Sequence, residues 1–392
     1  MRLLHVVPSY LPATRYGGPI YAVHGLCKAL VARGHEVHVY TTPVDGDADS
    51  DVPTGQAVNL DGVEVWYFPV RFPRRLYYSP KLRAALQAQV GGFDFVHIHS
   101  LFLLPGLMAA RACLNASVPY ALAPRGMLVE ELIRRRGSLR KRCWIRLFDA
   151  RTIREAAFLH VTSKREEEEA RRFSLCFPPV HVVANGTDLL QDDPAIQRAN
   201  DLLLYVGRIN WKKGLDRLIR ALAQVPQARL VIAGNDDEGY WSRLATLAEE
   251  LGVRQRIDYI GPVNAAIRTF WLRQATLFVL PSLSENFGNT VLEALAAACP
   301  VVVSPEVGLA EAIAISGAGV VCQGDPGALA AILRRLLSEP ASLQEMSRRA
   351  PGMVARDFSW PVCAERMEHC YLQAITGTYT SSDSRRSSLR RR

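Results

Sequence analysis

Short apolar runs alternate with amphipathic segments along most of the chain. In the first half, the apolar runs predict β-strands at 2–7, 35–41, 63–68, 93–97, 120–123, 158–161 and 180–183. Between them, apolar residues recur with the period of a helix, as at 80–90, 103–115 and 164–173. This alternation is typical of a parallel sheet with helices on both faces, so we predict an α/β fold.

The alternation stops in a polar, turn-rich stretch at 185–201 and then restarts. The second set of strands is predicted at 202–208, 229–233, 257–260, 277–281, 300–303 and 319–322. Helical periodicity without a strand follows at 325–337, 341–356 and 360–375. We predict two doubly wound, Rossmann-like domains that face each other across a cleft, 1–186 and 187–358, and a C-terminal helix, 359–376, that crosses back to the first domain.

The composition is that of a globular protein. Of the 392 residues, 49% are hydrophobic and 22% are charged, and no apolar run approaches the roughly 20 residues of a membrane span. We therefore expect a cytoplasmic protein. The eight cysteines are scattered without a C-x-x-C pair, which favours reduced thiols and no structural zinc site. The tail 377–392 is rich in Ser and Arg, and we predict that it is disordered.

The net charge of +9 is concentrated in that tail and in a segment at 134–148. In the segment, cations alternate with apolar and aromatic residues: Arg134, Arg135, Arg136, Arg140, Lys141, Arg142 and Arg146 stand among Leu139, Trp144, Ile145, Leu147 and Phe148. Two interpretations stay open. The segment is either a helix on an anionic membrane surface, at the inner face of the membrane, or a solvated helix face; we favour the first. Without a recognition motif, no nucleic-acid partner is expected.

The stretch LFVLPSLSENFGNTVLEALAAACPVVVS, at 277–304, carries two carboxylates on a strand, loop, helix and strand. Glu285 lies in the loop, and Glu293 lies about one turn inside the helix, which Asn289 or Thr290 would cap. In an open α/β sheet, ligands bind at this carboxyl edge. The N–H groups at the helix start can hold phosphate oxygens, and a carboxylate such as Glu293 can accept two hydrogen bonds from a ribose diol. Alone, each glutamate would be interpreted as a solvated surface residue.

Two cations stand at the corresponding edge of the first strand of this half. The segment GRINWKKGLDRL places Arg208 at the end of the strand and Lys213 at the start of the next helix. Together they would neutralise a diphosphate, although each alone is an ordinary surface residue. The first half begins as β-α-β without a G-x-G-x-x-G, which disfavours a dinucleotide-dependent dehydrogenase.

Taken in order, these motifs resemble the retaining GT-B glycosyltransferases of glycosyltransferase family 4, also called group 1. The resemblance covers almost the whole chain. Besides the Glu-x7-Glu stretch and the GR…KKG segment, it rests on Asn185-Gly186-Thr187-Asp188, on Gly17-Gly18 with GHEV at 34–37, and on PEVGLAEAI…GAGVV at 305–321. It implies a GT-B fold and transfer of a sugar from a UDP- or GDP-type donor to a hydroxyl of a glycan or lipid-linked acceptor, in polysaccharide or glycolipid biosynthesis.

The resemblance also implies which residues hold the donor. Arg208 and Lys213 would bind the diphosphate, and with Glu285 they would form the catalytic group. Glu293 would hold the ribose hydroxyls, and Val263 would border the base. The other donor contacts implied are Gly17, Gly18, Asn286, Phe287, Gly288, Asn289 and Thr290.

The implied mechanism is front-face transfer with retention at the anomeric carbon. Fixed cations and N–H dipoles would stabilise the leaving diphosphate, and alignment of acceptor with donor would supply the rest. No covalent nucleophile and no cofactor is expected. No metal ion is expected either, because no D-x-D motif stands at a plausible strand end.

One loop departs from the family pattern. Many relatives have a histidine after the strand near residue 120, whereas this chain reads Ala-Pro-Arg-Gly-Met, with Arg125 at that place. We predict that Arg125 contacts an anionic acceptor or the diphosphate, and that His99 contacts the acceptor. His97 and His99 lie two apart on a strand and point to the same side, but with no third ligand nearby no metal site is predicted.

Three alternatives stay open. A nucleotide-sugar epimerase would lack the Glu-x7-Glu frame, and a phosphorylase would show a lysine that carries pyridoxal phosphate in a different context. A basic protein that binds nucleic acid or a membrane surface belongs to another class. Retention on immobilised nucleoside diphosphate, rather than on RNA, would distinguish a glycosyltransferase from a protein that binds nucleic acid.

Overall fold

The computed structural model describes residues 1–13, 17–130, 133, 138–190, 197–236 and 238–377. In it, the chain divides into two compact units. The first comprises Met1–Ala184 and the chain from Trp360 onward, and the second comprises Asn185–Ser359. Two parts of the sequence predictions lie outside the described residues, namely the tail from 378 onward and Arg134, Arg135 and Arg136 of the basic segment.

The first unit is built on a mixed sheet. Its strands are β1 (Arg2–Ser9), β2 (Glu36–Thr42), β3 (Val44–Asp45), β4 (Ala48–Asp49), β5 (Ala57–Leu60), β6 (Val63–Tyr67), β7 (Phe95–His99), β8 (Tyr120–Ala123), β9 (Phe158–Val161) and β10 (Val180–Val182). Eight of them form one sheet in the order β10-β9-β8-β7-β1-β2-β6-β5, and β3 pairs with β4 in a separate hairpin. All neighbours in the large sheet are parallel except β5, which runs antiparallel to β6.

The sequence did not predict β5 or the β3–β4 hairpin. β5 is an edge strand whose residues are at most partly buried, so its apolar signal is weak. The turn that folds it against β6 contains Asp61 and Gly62 in left-handed conformations, with φ of 53° and 85°. An Asp-Gly pair between short strands is a hairpin signal, and it stands in the sequence.

Helices cover both faces of this sheet. They are Gly18–Ala32, Pro80–Gln89, Leu104–Ala116, Ser138–Trp144, Ala150–Arg154, Lys164–Arg171 and Trp360–Thr376, and a π-helical turn, Ile145–Asp149, joins the fourth to the fifth. The C-terminal helix, Trp360–Thr376, packs on the same face as the Gly18–Ala32 helix and buries Met367 and Tyr371 there. Close contact explains Gly25, because a Cβ at this position would lie 2.1 Å from the Trp360 ring.

The second unit has a fully parallel sheet. Its strands are β11 (Leu202–Val206), β12 (Arg229–Ala233), β13 (Ile257–Gly261), β14 (Leu277–Leu280), β15 (Val301–Val303) and β16 (Gly319–Val321), in the order β13-β12-β11-β14-β15-β16. Its helices are Leu215–Leu222, Tyr240–Glu250, Ala265–Gln274, Asn289–Ala296, Ala310–Ser316, Pro326–Ser338 and Pro340–Asp357. The strand order reverses between β11 and β14, which makes their carboxyl ends the expected place for a ligand. The prediction of two doubly wound α/β units is confirmed.

Among the described helices, none combines the length and the apolarity that crossing a bilayer requires.

Candidate active site

Two loops meet at the point where the strand order of the second sheet reverses. The loop after β14 is fastened to the loop after β11, because Leu283 N donates to the Lys212 carbonyl at 2.7 Å and Ser282 Oγ donates to the same oxygen at 2.9 Å. Gly214 permits this approach. Its φ is 68°, and a Cβ there would lie 2.1 Å from the Pro281 carbonyl oxygen. The chain therefore needs glycine at 214 to bring the two loops together.

This junction pairs Lys213 with Glu285. Lys213 Nζ forms a salt bridge with Glu285 Oε2, and each side chain is 19% exposed. The backbone of Glu285 is fixed as well, since its N–H donates to the Glu306 carbonyl at 3.1 Å and its carbonyl accepts from Gly308 N at 2.9 Å. Two residues assigned separate roles from the sequence thus contact each other directly.

Arg208 and Tyr205 complete this corner. Arg208 is exposed at the end of β11, and its carbonyl accepts a hydrogen bond of 2.8 Å from the Tyr205 hydroxyl. Burial raises the pKa of Tyr205 well above its usual value; the charge of Glu285 raises it further and that of Arg208 lowers it. Tyr205 is therefore a neutral hydrogen-bond donor that supports the strand end.

The Asn289–Ala296 helix begins without a side-chain cap. The sequence predicted Asn289 or Thr290 as the cap, and this is wrong: the N-cap is Gly288, with a left-handed φ of 101°. Asn289 lies in the first turn, where its Oδ1 accepts from Asn185 Nδ2 at 2.9 Å. No side chain among the described residues caps this helix start, so no side-chain acceptor occupies its first N–H groups.

Glu293, one turn along this helix, has a partner that the sequence did not reveal. Arg268 Nε lies 2.8 Å from Glu293 Oε2, and the two side chains are 25% and 26% exposed. Burial raises the pKa of Glu293, and the charge of Arg268 opposes that rise. Glu293 Oε2 still accepts no hydrogen bond from the described residues, so the contact is ionic and leaves lone pairs available for hydroxyl donors.

The remaining donor positions differ in what they offer. Phe287 is buried, with its ring 6.2 Å from that of Phe358, so only its backbone can face a ligand. Val263 is half-buried in the turn after Gly261, which has a φ of 70°, and precedes the Asn264 cap of the Ala265–Gln274 helix.

In the first unit, Gly17 and Gly18 form the start of the Gly18–Ala32 helix. Gly17 is its N-cap with a φ of 70°, and a Cβ at Gly17 would meet no atom within 4 Å. The left-handed backbone, rather than crowding among the described residues, is what requires glycine there. Residues 14–16 lie outside the described residues.

Arg125 and His99 are brought together at the carboxyl edge of the first sheet. Arg125 has a left-handed φ of 51°, and its Nε and Nη2 both lie 3.3 Å from His99 Nδ1. Arginine can only donate, so His99 accepts at Nδ1 and carries its hydrogen on Nε2. That nitrogen lies 3.1 Å from His5 Nδ1, which must accept in turn. The hydrogen of His5 is then on Nε2, a buried atom with no hydrogen-bond partner among the described residues.

A second chain of imidazoles runs beside the first. His160 Nε2 donates to the Val183 carbonyl at 2.9 Å, so its Nδ1 accepts from His97 Nε2 at 3.2 Å. His97 Nδ1 then accepts from the Tyr371 hydroxyl at 2.8 Å. Burial lowers the pKa of His5 and of His160 to about 3, and it lowers the pKa of His97 and of His99 well below the usual value, so all four are neutral at pH 7.

The expectation that no third ligand lies near His97 and His99 is wrong. His5 belongs to the neighbouring strand β1, and one ring nitrogen of each of the three histidines lies within 4.8 Å of the others. The hydrogen bonds nevertheless use the lone pairs of all three rings, and the guanidinium of Arg125 adds positive charge. A metal ion would have to break these bonds, so the cluster is better described as a relay of neutral imidazoles.

The two doubly wound α/β units, with the loops after β11 and β14 joined in the second, define a protein of the GT-B class. Residues 17–186 match the family described as glycosyl transferase 4-like domain, and residues 188–353 match glycosyl transferases group 1. The D-inositol 3-phosphate glycosyltransferase of Frankia alni is 30% identical over 95% of this chain and 98% of its own. The chain therefore belongs to the group 1 glycosyltransferases, and it is a glycosyltransferase.

Solved structures share the fold. The sucrose-phosphate synthase of Thermosynechococcus elongatus superposes with a TM-score of 0.76 over 96% of this chain and all of its own, at 20% identity. Anabaena HepE, in complex with UDP and glucose, superposes with a TM-score of 0.74 over 94% of this chain and 98% of its own, at 18% identity. The predicted GT-B fold is thus confirmed.

Three functional candidates were missed by the sequence reading. His5 and His160 each interrupt an apolar strand, in RLLHVV and FLHV, and a polar residue inside a buried strand is a usable signal. Arg268 gives no such signal, because it is one of several arginines in the second unit and only the fold brings it to Glu293.

Proposed function

We propose that the protein transfers a glycosyl unit from a nucleoside diphosphate sugar to a hydroxyl of a glycan or lipid-linked acceptor, with retention at the anomeric carbon. The observation that carries this proposal is the corner at the ends of β11 and β14. There Lys213 pairs with Glu285 in the loop before a helix that starts without a side-chain cap, and one turn into that helix Glu293 Oε2 accepts no hydrogen bond from the described residues.

Each group has a part in the proposed reaction. Arg208, Lys213 and the N–H groups at Asn289 and Thr290 would hold the diphosphate, and they would stabilise the charge that develops as it leaves. Fixed cations of this kind can take the place of a metal ion, so we propose that transfer is metal-independent. Glu293 would accept hydrogen bonds from the ribose hydroxyls, and the donor contact that the resemblance implies for Gly17 and Gly18 stays a prediction.

The salt bridge between Lys213 and Glu285 would hold both side chains in place before the donor binds. Glu285 holds the ammonium group where the phosphate oxygens arrive, and its own oxygens can accept from the hydroxyls of the sugar. With the backbone of Asn286, Phe287 and Gly288, it would position the transferred sugar. Chemistry would rest on leaving-group stabilisation and on alignment of the acceptor, without a covalent intermediate.

On the acceptor side, the candidates are His99 and Arg125. The relay fixes His99 as a neutral imidazole and points its accepting nitrogen at the guanidinium, so a positive charge is held at the carboxyl edge of the first sheet. A donor with uridine is the first to test, since Anabaena HepE was solved with UDP.

Thermal unfolding with UDP, GDP and ADP tests the donor assignment directly. A nucleotide at about 100 times its dissociation constant stabilises the protein by roughly 2.7 kcal/mol. We expect a shift with UDP or GDP, and nuclear magnetic resonance of the product should show the anomeric configuration of the donor. The absence of a shift with all three nucleotides, or an inverted product, would contradict the proposal.

A further inference from the structure

We propose that the first unit docks on an anionic lipid surface through two elements, the helical segment 138–154 and the loop 71–78. The proposal rests on the proposed function in one respect: it names the surface from which a lipid-linked acceptor would be reached. The docking itself is measured without any reaction, so the two can fail separately.

The helical segment 138–154 exposes an apolar row. One side of the segment is buried through Ile145 and Ile153. On another side, Leu139, Cys143 and Leu147 follow one another at intervals of four residues and so lie along one face. Leu139 is 77% exposed and Leu147 71%, and Cys143 is exposed as well. Single exposed leucines are ordinary, but a row of apolar residues is not.

Cations border this row. Arg140, Arg142 and Arg146 are exposed, and the acidic contact recorded for Arg142, with Glu130, is a distant one of 3.9 Å. An apolar face lined by basic residues is the pattern of helices that lie in a membrane interface. It fits an anionic surface better than a neutral one, because the arginines are drawn to the headgroups while the leucines enter the boundary below.

The loop 71–78 supplies the second element. Phe72 is 93% exposed, more than any other large apolar side chain in the described part of the chain, and the exposed Arg71 and Arg75 stand beside it. The loop is oriented by a salt bridge of 2.8 Å between Arg74 and Asp49. A basic loop with a protruding aromatic ring suits the same kind of surface.

Topology places both elements at one edge of the sheet. The loop 71–78 follows the carboxyl end of β6, and the chain that leads to the helical segment leaves the carboxyl end of β8. The first turn of the segment stays near that edge, since Lys141 Nζ lies 5.7 Å from the ring of Phe102, just after β7. Three strands separate β6 from β8, so their ends lie roughly 19 Å apart at about 4.8 Å per strand. Two contacts at this spacing would hold the unit on a plane.

Sedimentation with vesicles tests the docking. The full chain is mixed with vesicles of phosphatidylcholine alone or of phosphatidylcholine with phosphatidylglycerol. We expect binding to the anionic vesicles only. Each apolar side chain removed should weaken that binding by about tenfold. We therefore expect a decrease of about 100-fold in the double variant Leu139→Ser with Leu147→Ser, and of about tenfold in Phe72→Ser. Ile315→Ser is the matched control: Ile315 is 79% exposed but belongs to the second unit, and its loss should leave binding unchanged.

The charges are tested by Arg140→Gln, Arg142→Gln and Arg146→Gln together. Each arginine near an anionic surface contributes about fivefold, so the triple variant should bind about 100-fold more weakly. Because the Debye length falls from about 10 Å at 0.1 M salt to about 3 Å at 1 M, high salt should weaken the wild type far more than the triple variant.

Three results would overturn the docking proposal. They are equal binding to neutral and anionic vesicles, no binding to either, and variants that bind as the wild type does. A thermal shift with UDP in the same variants reports on the donor site alone. If the wild type shows no thermal shift with UDP, GDP or ADP, the proposed function is contradicted and the docking result still stands.

Discussion

Arg268 offers the sharpest test of the donor site, because it contacts the carboxylate that we assign to the ribose. Its Nε lies 2.8 Å from Glu293 Oε2, and the side chains are 25% and 26% exposed. Opposite unit charges about 4 Å apart attract each other by about 4 kcal/mol at an effective dielectric constant of about 20. Desolvation of both groups reduces the net effect to about 1–2 kcal/mol.

We expect Arg268→Met to raise the KM for the donor about tenfold and to change kcat by less than about threefold, since ribose binding is the same in the ground state and the transition state. The pKa of Glu293, already raised by burial, would rise further without the opposing charge of Arg268. A protonated Glu293 loses acceptor capacity. Donor binding by the variant should therefore weaken as the pH falls, starting at a higher pH than in the wild type.

Calorimetric titration with UDP and 2′-deoxy-UDP isolates the ribose contact. The wild type should prefer UDP about tenfold, and the preference should shrink in Arg268→Met. Arg268→Lys keeps the charge and should recover most of it. Arg273→Met removes an arginine from the same helix and serves as the control. If Arg268→Met loses equal affinity for both nucleotides, Arg268 does not act through the ribose carboxylate. If the wild type binds neither of these nucleotides and does not bind GDP, the donor assignment itself is wrong.

Three further predictions follow from contacts in the structure. Glu285→Gln should retain or tighten UDP binding, because Lys213 is released from its pair, yet lose transfer by at least about 100-fold; wild-type transfer would contradict the role of Glu285. Gly214→Ala should lower the free energy of unfolding, measured by urea titration, by at least about 2 kcal/mol. Gly239 has a similar φ of 65° but no atom within 4 Å of a Cβ, so Gly239→Ala should lower it by only about 1 kcal/mol; an equal decrease in both variants would show that crowding at Gly214 is irrelevant. Burial raises the pKa of Asp149 to about 6, so its contribution to stability is fully present below about pH 4 and is lost as the pH rises through about 6. In Asp149→Asn, the free energy of unfolding should therefore change less with pH across this range; a pH dependence equal to that of the wild type would refute this prediction.

The sequence was sufficient for the elements whose signal is local. Every predicted strand of the second unit is present, because a buried parallel strand needs a continuous apolar run, as in Val301–Val303. The edge strand β5 was missed because alternate exposure leaves it without such a run. The Asp61-Gly62 turn beside it carried the signal that apolar runs could not.

Long-range pairing was beyond the sequence. Lys213 and Glu285 were placed in one pocket by their strand ends, but their salt bridge depends on the close approach at Gly214. The N-cap of the Asn289–Ala296 helix is likewise set by the backbone. Gly288, with its left-handed φ, ends the loop and takes the cap position, so Asn289 and Thr290, whose side chains favour that position, lie inside the first turn. Side-chain preference predicts a cap, whereas the backbone decides which residue occupies the position.

The carboxyl edge of the first sheet carries the acceptor-side candidates and the proposed lipid-binding elements alike. His99 is the last residue of β7, Arg125 follows β8, and Phe72 lies in the loop after β6. If docking serves delivery of the acceptor, Phe72→Ser should raise the KM for a lipid-linked acceptor and leave the KM for the donor and for a water-soluble acceptor unchanged. A catalytic role for the same side chain would lower kcat with both acceptors. Kinetics with the paired acceptors therefore separate a surface that brings the substrate from one that reacts with it.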